Sequence, residues 1–334
     1  MTIKEFAKLL NVSAATVSKA LNDSHEISKS TKERVLAMAG ELNFQPNPNA
    51  SSLRKNKNKT IAIVIPEIAN NFFSKAIDGI ETIAQERGYH LLIYLTHEKF
   101  QKEESIIKHL LNGRVDGVLA SISMETESYE SFYELKEKGL PLVLFDRISD
   151  KIDAPKVCTD DYHAGYIGTK HLLDVGCTKI GFLAFSETSY SCQRRKQGYL
   201  DALTECNIEQ DSSLIINCNN DMVTNFTLIN NLIKKRKKVD GIFASAENLA
   251  ILTYQICSEL NINIPKELKL VSFSNMPLAS FLNPSLTTIT QPAFEMGKEA
   301  ALALFRVIEK PRNNYDDILL EMKSNLCIRN STKR

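Results

Sequence analysis

The chain has no paired-cysteine spacing, no long apolar run and almost no net charge, and each absence removes a class of function. Its seven cysteines, at 158, 177, 192, 206, 218, 257 and 327, form no CxxC pair, and none stands at metal-ligand spacing from the six histidines. They read as reduced core residues, so no metal is expected. No apolar stretch approaches the roughly 20 residues needed to span a bilayer. The first twenty residues carry charges throughout, with no uninterrupted apolar segment and no small-residue cleavage pattern. Membrane association and secretion are therefore not expected, and a cytoplasmic setting is. GxSxG, P-loop, GxGxxG and HExxH motifs are all missing, and the carboxylate pairs Asp160-Asp161 and Asp316-Asp317 lack a recognisable partner base. Neither an enzyme nor a cofactor is expected. Asp160-Asp161 reads better as a helix start, because a periodic segment, Ala164 to Val175, follows it.

The net charge of +1 on 334 residues hides an asymmetry. Residues 1 to 59 hold ten Lys or Arg against five Asp or Glu, so a basic head is joined to a slightly acidic body. A polyanion would meet the N-terminus only. The length predicts two or three domains.

Within that head, Thr2-Ile3-Lys4-Glu5 has capping-box form and starts a helix at Ile3, with Ile3, Phe6, Ala7 and Leu10 on one face. Asn11-Val12 breaks the pattern. Ser13 then caps a second helix, Ala14 to Asn22, with Val17 and Leu21 inward and Ala14, Ala15, Ser18 and Lys19 outward. Ser30-Thr31-Lys32-Glu33 offers a second capping box, for a third helix whose Val35, Met38, Ala39 and Leu42 close a small core. This is a helix-turn-helix layout, with an ordinary helical hairpin as the alternative. Small side chains and one long cation on the outer face let the second helix lie deep in a major groove, with Lys19 aimed at guanine edges and Ala14 and Ala15 suited to thymine methyls. Thr2, Ser13, Thr16, Ser18 and Asn22 complete the expected DNA contacts, Ser13, Thr16 and Asn22 to phosphate.

From Asn43 to Lys59 prolines, asparagines and cations replace the periodic pattern, as in a linker. Asn47 and Pro48 suit the start of a short helix, with Ala50 and Leu53 on one face and Arg54 and Lys55 near its end. Leu53 is a bulky apolar residue in polar surroundings, and its available partners are a second copy of itself or a DNA base step. A solvated tether is the alternative. Asn47, Ala50, Leu53 and Arg54 are the expected DNA contacts of this segment.

Beyond Thr60, short apolar runs alternate with amphipathic segments, the pattern of parallel sheets covered by helices. Strands are expected at Ile61–Ile65, His90–Leu95, Gly117–Ser121, Pro141–Phe145, Lys156–Cys158, Ile180–Phe185, Ser213–Asn217, Gly241–Ser245, Lys269–Phe273 and Leu286–Thr290, and a long helix at Asn71–Arg87. Residues 114–121, RVDGVLAS, recur as 238–245, KVDGIFAS, at an offset of 124. Thr60–Val64 and Lys179–Leu183 correspond at about that distance, so the body is expected to be two similar lobes with a ligand cleft at the strand ends between them.

Taken in order, Val12-Ser13, Thr16-Val17-Ser18, Phe44-Gln45-Pro46-Asn47, Leu53, Thr60–Val64, Asn71-Phe72-Phe73, Leu144-Phe145-Asp146-Arg147, Arg195 with Gly198-Tyr199, Leu286–Ile289, Gln291-Pro292 and Ile328–Ser331 resemble a transcription regulator of the lac repressor family. The resemblance runs over nearly the whole chain. It implies an α/β protein: an N-terminal all-α helix-turn-helix domain (1–46), a hinge helix and linker (47–59), and a two-lobed, periplasmic-binding-protein-like body with parallel sheets (60–334). Lobe 1 would take about 60–159 plus 291–325, and lobe 2 about 160–290. It further implies a homodimer on a palindromic double-stranded DNA operator, released or recruited by a small effector, a sugar, sugar acid or nucleoside derivative, held between the lobes. On that resemblance Arg147 and Arg195 point into the cleft as planar donors, and Phe72 supplies a stacking wall. Asp161, Glu247, Ser274 and Asn275 complete the rim. A surface ion pair is the alternative for each arginine. The chain departs from the family where aspartate is common after the late strand, giving Ser274-Asn275, and where a strand end gives Glu247 instead of aspartate. The rival functions are a secreted sugar-binding protein and an enzyme.

Overall fold

The computed structural model describes residues 1–21, 23–42, 44, 58–187, 189–234, 239–310, 315 and 318–333. They form two units, Met1–Lys59 and Thr60–Arg334.

The head has helices α1 (Ile3–Leu9), α2 (Ala14–Leu21) and α3 (Lys29–Glu41). The Thr2–Glu5 capping box is formed in both directions, at 2.8 and 3.3 Å. Asn11 takes φ 54 in the turn, a left-handed position that asparagine tolerates better than most residues, so α2 can follow α1 after four residues. Phe6, Ala7, Leu10, Val17, Ala20 and Val35 make the core. Three expectations change here. The cap of α3 is Ser28, whose hydroxyl accepts from Thr31 N, so the helix starts two residues before the Ser30–Glu33 box would allow. Leu42 is exposed, and the core is closed instead by Phe44, stacked on Phe6 with ring centroids 4.2 Å apart. Ala14 is half-buried against the same core rather than facing out.

The body contains two six-stranded sheets. The first joins β1 (Thr60–Ile65), β2 (His90–Leu95), β3 (Val118–Ala120), β4 (Leu142–Phe145), β5 (Lys156–Thr159) and β11 (Leu319–Met322) in the order β11-β5-β4-β3-β1-β2. The second joins β6 (Ile180–Phe185), β7 (Ile215–Cys218), β8 (Gly241–Ala244), β9 (Lys269–Phe273), β10 (Thr287–Thr290) and β12 (Asn325–Cys327) in the order β12-β10-β9-β8-β6-β7. The two orders are the same, and the sequence repeat falls on β3 and β8, which hold equivalent places. All pairings are parallel except β10 with β12. The strand expected from Ser213 begins instead at Ile215, because Asp211 caps a 3-10 turn over Ser212–Leu214. Strands β11 and β12 were not expected.

Lobe 1 is covered by α4 (Asn71–Glu86), α5 (Phe100–Leu110), α6 (Glu130–Glu137) and α11 (Ala293–Glu309), and lobe 2 by α7 (Asp161–Asp174), α8 (Tyr190–Glu205), α9 (Met222–Lys234) and α10 (Glu247–Glu259). In α4 the stripe Phe72, Phe73, Ala76, Ile80, Ile83 and Ala84 is buried, each large side chain contributing about 1.5–3 kcal/mol. Glycine pairs let helices cross closely at one point in each lobe. A Cβ on Gly198 of α8 would lie 2.1 Å from the Tyr162 carbonyl oxygen, and one on Gly165 of α7 would lie 2.0 Å from that of Arg195. That crossing brings the first turn of α7 against the first turns of α8, where two charged residues meet.

Candidate functional site

In the head, the outer face of α2 presents Ala15 and Lys19 to solvent. Ser13 caps the helix, its Oγ accepting from Thr16 N at 3.0 Å and sharing a 2.8 Å hydrogen bond with Thr16 Oγ1. Thr2 is likewise engaged in its capping box. Ser18 is partly buried on the same helix. Lys19 pairs with Glu26 in the loop before α3, both about half exposed. The pair is weak in water, so Lys19 can exchange Glu26 for another acceptor. Asn22, Asn47, Ala50, Leu53 and Arg54 lie outside the described residues.

In the body, a cavity of about 430 Å³ opens where the C-terminal ends of both sets of parallel strands meet, the usual ligand position of open α/β sheets. Lobe 1 contributes Phe72 from the start of α4, Glu98 after β2, and Asp146 and Arg147 after β4. Lobe 2 contributes Arg195 from α8, Glu247 from α10, and Ser274 and Asn275 after β9. Gln291 follows β10 as the chain crosses back to lobe 1. Six of the seven expected effector residues therefore line one space. Asp161 does not: it is 3 % exposed under Arg195, accepting its Nε–H at 2.7 Å. This corrects the expectation of a rim acceptor, because Asp161 is the first residue of α7 and the glycine crossing turns it toward α8. Arg195 also donates from Nη1 to the Ser245 carbonyl at 2.8 Å, and its Cζ lies 3.4 Å from the Phe273 ring centroid. A guanidinium held by a carboxylate, a carbonyl and an aromatic face has one orientation.

Arg147 is fixed in a similar way. Its Nη1 donates to both oxygens of Glu98, at 2.7 and 2.8 Å, and its Cζ lies 5.9 Å from the Phe73 ring. Glu98 also accepts from Met124 N at 2.9 Å and sits at φ 63, a position that costs on the order of 1 kcal/mol or more for a residue of this kind. Those three hydrogen bonds hold it there.

Among the other cavity residues, Glu247 accepts from Ser274 Oγ at 2.7 Å, and Asp146, next to Arg147 in the chain, accepts from Gln291 Nε2 at 3.1 Å. Asn275 and Gln291 lock the crossing with two bonds, at 2.9 and 3.1 Å. Burial pushes the Asp161 carboxyl up to about 6 against the pull of Arg195, and burial likewise raises Asp146 against the pull of Arg147 and Gln291. Glu98, Asp146 and Gln291 were not picked out as site residues, although Asp146 and Gln291 stand inside segments that carried the family resemblance. The signal for Glu98 was its place in the loop three residues past the end of a strand.

The described residues hold no group of three or more His, Cys, Asp or Glu able to bind a metal ion. No helix among them is long and apolar enough to cross a membrane.

Residues 58–327 match the family described as periplasmic binding proteins and sugar binding domain of the LacI family, and residues 2–47 match bacterial regulatory proteins, lacI family. The chain belongs to the lacI family. It is 31% identical over 334 residues to the HTH-type transcriptional repressor PurR of Vibrio vulnificus, covering 100% of this chain and 99% of that one. It is 31% identical over 320 residues to the ribose operon repressor of Haemophilus influenzae, covering 96% of each. The lac repressor dimer bound to operator and an anti-inducer shares the fold, with a TM-score of 0.86, 20% identity and 99% coverage of both chains. As a lacI-family member, this protein is a DNA-binding transcriptional regulator whose helix-turn-helix head is governed by a small molecule bound in its body. The relatives are repressors rather than enzymes. A binding protein without a regulatory role, the rival reading, does not account for the head.

Proposed function

We propose that this repressor binds a palindromic operator as a cytoplasmic homodimer, and that its effector is a polyhydroxylated molecule of sugar or nucleoside size seated in the cleft. The observation that carries the reading is the pair of pre-oriented guanidiniums, Arg147 and Arg195, facing one cavity of about 430 Å³ with an aromatic wall at Phe72. Arg147 and Arg195 offer planar donors, and Glu247, Ser274 and Asn275 offer acceptors and mixed groups to hydroxyls. Asp161 acts through Arg195.

A second copy of the chain would cover apolar surface that is otherwise left to water. On lobe 2, Phe281 is 82 % and Val223 76 % exposed, with Met222, Ile251 and Leu278 also exposed. They belong to α9, α10 and the 3-10 turn Pro277–Ser280, or border them, and these elements pack on the same core. Edge strand β2 adds exposed Leu92 and Ile93 on lobe 1.

On DNA, Lys19 reads a base edge and Ala15 and Ala14 contact methyls, while Thr2, Ser13, Thr16, Ser18 and Asn22 hold phosphate and backbone. Asn47, Ala50, Leu53 and Arg54 extend the contact on the strength of the sequence alone. A thermal-shift screen of the full chain against sugars, sugar acids and nucleosides tests the effector site. A ligand should raise the melting temperature of the wild type and lose that effect in Arg147→Ala and Phe72→Ala. Equal shifts in all three proteins would put the site elsewhere.

A further inference from the structure

Arg147 stands at the cleft at the end of a series of contacts that begins in the interior of lobe 1. Its side chain is held by Glu98, and Glu98 in turn accepts from Met124 N at 2.9 Å. Its backbone is tied to the same loop. Arg147 N donates to Ser121 Oγ at 3.4 Å, and Ile122 N donates to the Arg147 carbonyl at 3.2 Å. Residues 121–126, after β3, therefore meet Arg147 through both its backbone and its carboxylate partner, so the placing of the guanidinium depends on what fixes that loop.

Glu103 fixes it. This residue lies in the first turn of α5, is 1 % exposed, and takes one hydrogen bond on each carboxylate oxygen. Oε1 accepts from Ser123 N at 2.8 Å, and Oε2 accepts from Thr126 Oγ1 at 2.6 Å. Ser123 Oγ shares a further 2.6 Å hydrogen bond with Thr96 Oγ1, and both residues are buried. The loops after β2 and β3 are thus joined twice, at Thr96 with Ser123 and at Glu98 with Met124. These ties matter because His97 and Glu98 are both left-handed, at φ 53 and 63, a conformation that persists only where the surroundings impose it.

A carboxylate buried without a cation is a costly group. The partners of Glu103 are an N–H and a hydroxyl, and burial pushes its carboxyl up against their pull, with the nearby Glu98 adding to the rise. What the group supplies in return is two acceptors on one rigid plane, placed to hold two points of a loop that borders the cavity through Met124.

We propose that Glu103 is a positioning residue for Arg147: by holding Ser123 and Thr126 it keeps Met124 N against Glu98, and Glu98 then fixes the guanidinium that lines the cavity. The Glu98 pair uses Nη1 alone, which leaves Nε and Nη2 in a set orientation. The consequence for the effector rests on the reading that the effector occupies the cleft; the positioning does not.

Labelling of the full chain with phenylglyoxal, followed site by site by peptide mass spectrometry, tests the positioning without a ligand, because a guanidinium held by a carboxylate is protected from this reagent. Arg147 should react about fivefold or more faster in Glu103→Ala than in the wild type, as expected when a hydrogen bond to a charged group is lost. Glu103→Gln should restore most of the protection, since its amide can accept from Ser123 N and donate to the Thr126 hydroxyl. Arg195, held in lobe 2 by Asp161, is the internal control and should not change. Glu98→Ala should expose Arg147 at least as much, and adding Glu103→Ala to it should bring no further rise, the mark of two residues acting in one path. Thr126→Val removes one of the two bonds and should give part of the effect, which keeps the test decisive if Glu103→Ala does not fold. Unchanged Arg147 labelling in the Glu103 and Thr126 variants, a rise shared equally by Arg195, or a rise that adds to that of Glu98→Ala overturns the proposal. The effector reading is checked apart from this, with ribose, glucose, gluconate and adenosine in a thermal-shift assay. A ligand among them that stabilises Arg147→Ala as much as the wild type removes the cleft reading and leaves the positioning in place, whereas one that needs Arg147 should weaken in Glu103→Ala and recover in Glu103→Gln.

Discussion

Asp161 and Arg195, 34 residues apart in the chain, share one buried hydrogen-bonded ion pair, with Oδ1 of the first 2.7 Å from Nε of the second. The carboxylate is hidden and the guanidinium faces the cleft, so one residue positions what the other presents. Asp161→Ala leaves the Nε donor buried without an acceptor and should cost about 1–3 kcal/mol. Asp161→Asn keeps an acceptor at a site where burial already weighs against the charge, and should cost less. Urea denaturation of the two variants checks the order, and equal losses would show that the hydrogen bond is not the stabilising element.

The same pair predicts an unusual pH dependence. The Asp161 carboxyl is raised from 3.8 to about 6, so the folded chain takes up the proton first. Lowering the pH from about 6 toward 4 therefore favours folding through this group, and raising it past 6 withdraws that contribution. Ligand affinity should move the other way, because a protonated Asp161 no longer anchors Arg195 as a carboxylate. In Asp161→Asn both steps should vanish, leaving the part of the affinity change that belongs to Asp146, also raised by burial. Parallel melting and binding curves from pH 4.5 to 7.5 would reveal it, and identical profiles for wild type and variant would assign the titration elsewhere.

Gly198→Ala tests the helix crossing that makes the pair possible. Its new Cβ would fall 2.1 Å from a backbone oxygen, which only a displacement of α7 from α8 can relieve. Overpacking of this kind typically costs about 1–3 kcal/mol. Ligand affinity should fall as well, since Asp161 and Arg195 sit on the two displaced helices. A variant with wild-type stability and affinity would mean that the crossing can open freely.

On the DNA side, Lys19→Ala should cost about 1–3 kcal/mol on the true operator and relax preference at one position per half-site. Glu26→Gln should act in the opposite direction, releasing Lys19 from its partner and tightening binding. Binding-site selection with each variant gives the answer: an unchanged preference in Lys19→Ala would remove its reading role.

Leu53 lies outside the described residues, and its prediction comes from sequence. If it wedges into a base step, Leu53→Ala should lose most operator preference and most of the DNA bend while keeping salt-sensitive nonspecific binding. Unaltered affinity and bend angle in a circular-permutation gel assay would leave Leu53 a packing residue.

The two lobes were legible because parallel strands buried on both faces read as apolar runs, and because RVDG and KVDG mark equivalent strands. Strands β11 and β12 were not, since Leu319 and Leu320 are exposed at a sheet edge and carry no burial pattern. In the head, Leu42 fits the helical period of α3 but falls at its end, where the chain turns and lets Phe44 reach Phe6 instead. Six of the expected cleft residues could be named because strand ends and family motifs coincide there. What sequence does not carry is pairing: Arg147 meets Glu98 across 49 residues, and Arg195 meets Asp161 only because two glycines let their helices touch.

Control of the head by occupancy of the cleft would show in operator binding measured by fluorescence anisotropy, with and without a ligand found by thermal shift. Arg195→Lys is the informative variant, since it keeps a cation for Asp161 but loses the planar donor. In the wild type the ligand should change operator affinity by about tenfold or more, the size of an ordinary allosteric coupling. In Arg195→Lys the ligand-free affinity should match the wild type and the ligand response should be lost. A ligand that leaves wild-type operator affinity unchanged, or shifts the variant by the same factor, would show that the cleft does not govern the head through Arg195.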